Sequence, residues 1–208
     1  MSIDGHETLS QASQDLFVME MLKRKSNGVY LEIGASEPFD MNNTAILEQR
    51  YGWRGVSFEL DKDKVDRTIS QRTNPCYCED ATGVDYGPVF EKHNFPKQID
   101  YLSLDIEPHD QTLLCLKKLP LDDYRFSVIT YEHDAYCGGS SSREESRKIL
   151  TSHGYILVVS DVCHCGNAFE DWYVDPTVVD EKTYSSFFGQ MVEHSSMFTV
   201  ERKNYDID

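Results

Sequence analysis

No stretch of this chain approaches the ~18–20 consecutive apolar residues of a membrane-spanning helix, so insertion into a bilayer is not expected. Residues 1–14 are polar and lack the apolar core of a signal peptide, which leads to the expectation of a cytoplasmic protein. Basic residues are scarce: 20 Lys and Arg stand against 36 Asp and Glu, a formal net charge of −16. That field repels phosphate backbones and anionic lipid, which makes nucleic acid a poor partner and favours neutral or cationic ligands and divalent metals. No C-x₂₋₄-C pair of the structural-zinc kind is present. The six cysteines stand at 76, 78, 115, 137, 163 and 165, and their two C-x-C pairs suit reduced thiols better than local disulfides. The G-x-G-x-x-G fingerprint is missing, so a dinucleotide is not favoured. No internal repeat occurs, and nothing is low-complexity beyond a short Gly/Ser stretch at 138–142.

What is present reads as a folded domain. A length of 208 residues, with 39% hydrophobic and 12% aromatic residues, supports one three-layer core. The chain is organised around residues 29–37, V-Y-L-E-I-G-A-S-E. An apolar run without polar alternation marks a strand covered on both faces, and small residues after it allow close backbone approach. Glu32 is the odd residue in that run, because a buried carboxylate needs a partner: either a structural one or a cationic ligand. A second strand, G-V-S-F-E-L at 55–60, carries an acid near its end. Strand, small turn, helix and acid-tipped strand is the layout by which nucleotide-binding α/β folds hold the two hydroxyls of a ribose.

The pattern along the rest of the chain predicts helices at 10–25, 42–50, 62–71, 88–93, 143–152 and over the leucines at 113–119, where Asp110 would cap. Strands are predicted at 29–33, 56–60, 75–78, 99–106, 126–131 and 155–159. Residues 170–174 are polar-aromatic, and a last strand at 198–202 would lie on the sheet edge. The expected fold class is α/β: a single Rossmann-like three-layer domain with a mainly parallel sheet and an antiparallel edge strand. Residues 1–28 would form a helical lead-in, 29–176 the core and 177–208 a closing helix and edge strand.

Ligands of such sheets bind at the carboxyl ends of the strands. There the sequence places Gly34, Ala35, Ser36 and Glu37 after the first strand, and Glu59 after the second. Asp80 follows the third, Asp105 and Glu107 the fourth, and Glu132, His133 and Asp134 the fifth.

These segments resemble the FkbM-type branch of the class I S-adenosylmethionine-dependent methyltransferases. Leu31-Glu32-Ile33-Gly34-Ala35 is similar to its first motif, and Asn43-Thr44 with Gly52-Trp53-Arg54-Gly55 to the helix and turn that follow. Phe58-Glu59 resembles its second strand end. I-D-Y-L-S-L-D-I-E at 99–107, I-T-Y-E-H at 129–133 and E-D-W-Y-V at 170–174 match later motifs. The resemblance spans about residues 14–176. It implies a single methyltransferase domain using S-adenosyl-L-methionine and acting on a hydroxyl of a sugar or glycan, alone or beside glycosyltransferase modules in a longer chain. Ser36-Glu37-Pro38-Phe39 and Pro108-His109 depart from the family pattern, so the acceptor side is expected to differ more than the cofactor side.

The resemblance also implies residue roles. Glu59 would hold the ribose hydroxyls. Gly34, Ala35 and Ser36 would approach the methionine part with Glu32 near its ammonium group, and Asp80 and Ala81 would meet the adenine. Asn43, Thr44 and Asp105 complete the cofactor set. A sugar hydroxyl needs a base or a metal to lose its proton during an in-line displacement. Asp105, Glu132 and His133 are the candidate ligands for Mg²⁺ or Mn²⁺. In the metal-free alternative, Asp105 or Glu107 orients the hydroxyl and a histidine takes the proton. His109 is the first candidate and His133 the second. Trp172 and Tyr173 stack on a sugar or pack in the core, and the 138–142 stretch is a lid or a linker. The competing functions are methylation of a small non-sugar hydroxyl or carboxyl, and a catalytically silent S-adenosylmethionine-binding module.

Overall fold

The computed structural model describes residues 2–3, 6–164 and 166–189. A two-residue ribbon, Ser2–Ile3 against His6–Glu7, precedes the main body. Seven strands then form one sheet: β1 (Val29–Ile33), β2 (Arg54–Glu59), β3 (Cys76–Cys78), β4 (Gln98–Leu104), β5 (Arg125–Glu132), β6 (Ile156–His164) and β7 (Asn167–Val174). Their order is β3-β2-β1-β4-β5-β7-β6. The first five run parallel, and β7 lies antiparallel between β5 and β6. The sequence places an antiparallel strand at 198–202, which lies outside the described residues. β7 supplies one instead, from the segment read only as polar-aromatic.

Among the described residues, seven α-helices accompany the sheet: α1 (Gln14–Met21), α2 (Ala45–Tyr51), α3 (Lys62–Gln71), α4 (Tyr86–Lys92), α5 (His109–Lys118), α6 (Ser140–Ser152) and α7 (Glu181–Ser185). One apolar layer joins α1, α2 and α7 to Tyr30, Tyr101, Val128 and Trp172 of the sheet. The other joins α4, α5 and α6 to Leu31, Leu102, Ile129 and Tyr131. Alternate residues of β1, β4, β5 and β7 thus enter opposite layers, which explains the high apolar content of these central strands. Trp172 lies 4.6 Å from Phe17, ring centre to ring centre, and Trp172 and Tyr173 are fully buried. Both are core residues, so of the two alternatives the packing one holds.

Local geometry explains the shifted boundaries. Ser13 at φ 67° starts α1 at Gln14, and Lys23 and Arg24 at φ 51° and 53° end it. Pro108, not Asp110, occupies the N-cap position of α5, and Asp110 stands in its first turn. The serines of the 138–142 stretch open helix α6 and leave only Gly138-Gly139 as a turn. Gly139 is required there: a Cβ would run into the carbonyl of His133.

Candidate active site

The sheet order reverses between β1 and β4, and a cavity of about 540 Å³ opens at the carboxyl ends beside that switch. Gly34 and Ser36 line it from the β1 turn, Glu59 and Leu60 from β2, Asp80, Ala81 and Thr82 from β3, and Asp105, Ile106 and Glu107 from β4. Its size suits a ligand of nucleoside dimensions.

Glu59 is held as an acceptor. Its Oε2 receives the backbone N–H of Ser36 at 2.9 Å, and its Oε1 that of Asp61 at 2.8 Å. Two backbone donors from different loops fix the carboxylate, leaving its remaining lone pairs for vicinal hydroxyls. Asp80 is exposed and accepts from Thr82 N at 2.9 Å and Thr82 Oγ1 at 2.7 Å, and the Thr82 hydroxyl holds its pKa below the usual carboxylate value. It caps the Ala81–Gly83 turn while lining the cavity with Ala81. Gly34 has φ 93°, and its missing Cβ makes room for the carbonyl of Asp105. That glycine therefore serves the β1–β4 junction as well as the cavity.

Glu32 is a correction. Its side chain is 1% exposed and absent from the cavity lining. Thr44 Oγ1 donates to it at 2.9 Å and Ser57 Oγ at 2.6 Å, and Arg72 stands 3.8 Å away. Burial pushes its pKa up against the pull of Arg72 and the two hydroxyls. The structural partner that the sequence left open is Arg72, which also meets Glu48 at 2.8 Å, Thr44 Oγ1 at 2.8 Å and Asn42 Oδ1 at 3.0 Å. Thr44 belongs to this network. Asn43 donates to Ser103 Oγ at 2.9 Å, and Ala35 packs against Val65 and Cys76. These three support the site from beneath and do not line it.

The metal set is also corrected. Asp105 and Glu132 follow the paired Leu104 and Tyr131 on adjacent strands, which sets them side by side at the strand ends. His133, one residue on, faces the opposite side of the sheet. Its Nε2 lies 3.5 Å from Asp171 and 3.8 Å from Asp161, and its Nδ1 accepts the Ala135 N–H at 3.1 Å. Among the described residues, His133, Asp161 and Asp171 are the one group with converging metal-ligand atoms. That group suits a metal poorly: Arg143 and Arg147 already pair with its carboxylates at 2.7–2.9 Å. The Ala135 N–H on Nδ1 also puts the ring hydrogen on Nε2, the nitrogen a metal would need.

His109 sits at the start of α5, half-buried, with Nδ1 2.9 Å from Ser142 Oγ and its other nitrogen toward Gly138. It does not line the cavity, whereas Asp105 and Glu107 do. Sequence reasoning missed Gln11, Met41, Lys64 and Gln111 on the lining. Lys64 lies one turn into the helix that follows Glu59, and its Nζ donates to Ser36 Oγ at 3.3 Å. That position was the available signal.

No family model matches the chain, and no curated protein matches it. Solved structures do. A candidate rRNA methylase from Clostridium thermocellum superposes with a TM-score of 0.50 at 14% identity, covering 81% of this chain and 99% of that one. The human methyltransferase 10 domain containing protein gives 0.50 at 11% identity, covering 76% and 78%. The S. pombe Dnmt2 methyltransferase gives 0.50 at 16% identity, covering 70% and 48%. At such identities the likeness is one of fold. The chain has the α/β Rossmann-like fold of methyltransferases, a seven-stranded and mostly parallel sheet with one antiparallel strand.

Proposed function

We propose that this chain is an S-adenosyl-L-methionine-dependent O-methyltransferase whose acceptor is a hydroxyl of a sugar or glycan. One observation carries the cofactor reading: Glu59, pinned by two backbone N–H groups, faces a cavity at the β1–β4 switch. The lining fits the cofactor. Glu59 would accept from both ribose hydroxyls. Asp80 and Ala81 would meet the adenine edge, beside Leu60, an apolar side chain 71% exposed at the lining. S-adenosylmethionine supplies, when bound, a methyl group on a positively charged sulfur.

The acceptor reading rests on charge and on the resemblance to the FkbM-type family. Glu79, Asp80, Glu107 and Glu59 rim the cavity and Lys64 is the lone cation on its lining, in a chain of net charge −16. A neutral polyol enters such a rim without the repulsion a phosphate backbone meets. RNA, named in the description of the Clostridium thermocellum neighbour, is disfavoured on the same ground. Titration calorimetry with S-adenosylmethionine on wild type and Glu59→Ala tests the cofactor step, and saturable binding lost in the variant is the expected result. Incubation with glycan panels and measurement of S-adenosylhomocysteine then tests the acceptor. Binding without turnover on any acceptor class favours the silent module.

A further inference from the structure

Three carboxyl groups form a row across one face of the sheet. Asp105 follows the Leu104–Tyr131 pair that joins β4 to β5, which brings it beside Glu132, and Glu132 is the Cα partner of Glu170 on β7. Asp105 lines the cavity. Glu132 Oε2 and Glu170 Oε1 are buried atoms with no hydrogen-bond partner, and Glu170 is fully buried. The charged groups around the pair come from every neighbouring element: Glu107 on its own loop, Glu59 from β2, Asp134 after β5 and Glu170 from β7. His109 and His133 act on Asp134 rather than on the pair. Among the described residues no Lys or Arg pairs with Asp105 or Glu132, and burial pushes both carboxyls up. Asp105 and Glu132 are half-buried neighbours on adjacent strand ends, and Glu132 Oε2 is buried without a partner, so with no cation beside them the two carboxyls resist ionising together and the resting pair holds a proton.

We propose that the Asp105–Glu132 pair tells the sulfonium cofactor from its thioether product by charge, giving up its shared proton to the one and keeping it for the other. The inference rests on the cofactor reading above. Along the cavity, Asp80 on β3 would mark the base and Glu59 on β2 the ribose. The sulfur is attached to the ribose 5′ carbon, so it continues toward β1 and β4, where Asp105 lies. S-adenosylmethionine and S-adenosylhomocysteine share the base, ribose, amine and carboxylate. They differ by one methyl and one positive charge, and a proton-holding carboxyl pair answers to that charge.

The same pair closes the proton account of the transfer. A lone pair of the acceptor oxygen forms the new C–O bond, and the electrons of the breaking C–S bond stay on sulfur. The sulfonium charge disappears, which raises the affinity of the pair for a proton as the acceptor hydroxyl loses one. That proton returns to the Asp105–Glu132 pair and restores its resting state. This gives Asp105 the base role that the sequence assigned first to His109.

The test needs no acceptor. Titration calorimetry of wild type with S-adenosylmethionine, S-adenosylhomocysteine and sinefungin, in buffers of different ionisation enthalpy, counts the protons released. The expected result is about one proton for the two ligands that are cationic at this position and about none for the thioether. S-adenosylmethionine affinity should rise with pH, by up to about tenfold per pH unit, while that of the thioether stays flat. Glu132→Gln should bind S-adenosylmethionine without proton release; if it fails to fold, the wild-type comparison still decides. Equal proton counts for sulfonium and thioether overturn the proposal while leaving the cofactor site standing. Absence of binding by all three ligands overturns the cofactor reading itself.

Discussion

The carbonyl of Asp105 occupies the space that a Cβ on Gly34 would need. The two residues end adjacent parallel strands, with Asp105 N donating to Ile33 O at 2.9 Å, so their contact joins the glycine turn to the acidic end of β4.

Gly34→Ala is expected to be severely disruptive, because the obstructing atom is backbone and because φ 93° disfavours any side chain. A loss of more than about 3 kcal/mol in urea denaturation is expected, with cofactor binding lost in whatever folded fraction remains. A variant with wild-type stability would show that the β1–β4 junction is not close-packed.

Arg72 holds the buried side of the β1 strand. Its side chain is 1% exposed and meets Glu48 at 2.8 Å and Tyr30 Oη at 3.0 Å, with Glu32 3.8 Å away. Burial alone would raise the Glu48 pKa, yet the Arg72 charge and the Thr73 hydrogen bonds outweigh it and hold it at about 2. Arg72→Met should cost about 3–5 kcal/mol, since two carboxylates lose their cation in a dry site. The Glu48 contribution is present above its unfolded value near 4.5 and is lost as pH falls through about 2. Acid unfolding followed by circular dichroism should therefore begin at higher pH in Arg72→Met than in wild type.

Which parts were legible follows from where the information sits. The parallel core was readable because residues 29–33 are apolar but for Glu32, and residues 56–60 and 126–131 set their few polar residues among apolar ones, a pattern local to each strand. Glu59 and Asp80 were readable because strand ends are set by the same local pattern. The destination of Glu32 was not, since its cation lies 40 residues on, at the end of α3, and only folding brings Arg72 beneath β1. His133 shows the same limit at shorter range. One residue from Glu132 on a strand means the opposite face, and the metal set ignored that period of two. The α6 start was misread because Ser140–Ser142 resemble a linker in composition, whereas Gly138-Gly139 alone makes the turn.

Glu170 should make stability fall as pH rises. It is fully buried, and burial pushes its pKa up to about 8 against the hydrogen bond from Trp172 Nε1 at 2.5 Å. A raised carboxyl stabilises fully below its unfolded value of 4.5, and that contribution is lost as pH climbs through about 8. The slope from one such group is at most about 1.4 kcal/mol per pH unit. Glu170→Gln keeps an acceptor for Trp172 and Gln14 and removes the titration. Urea midpoints should match wild type near pH 4.5 and exceed it near pH 8. Equal midpoints at both values would mean that Glu170 ionises as freely in the folded chain as in the unfolded one.

Chelation should leave cofactor binding unchanged. On the proposal above the Asp105–Glu132 pair holds a proton where a metal set would hold a cation, and the imidazole expected to complete that set is turned to Asp171 across the sheet. The His133–Asp161–Asp171 group is charge-matched by Arg143 and Arg147, and burial of Asp171 is outweighed by the Arg147 hydrogen bonds, which hold its pKa at about 2. S-adenosylmethionine titrations in EDTA and in added Mn²⁺ should then give the same affinity within error, and Mn²⁺ alone should give no saturable heat. If His133→Gln abolished a measured Mn²⁺ heat, the Nδ1 bond to Ala135 would have to break on metal binding. In that case the tautomer argued from the Ala135 N–H would be the wrong one.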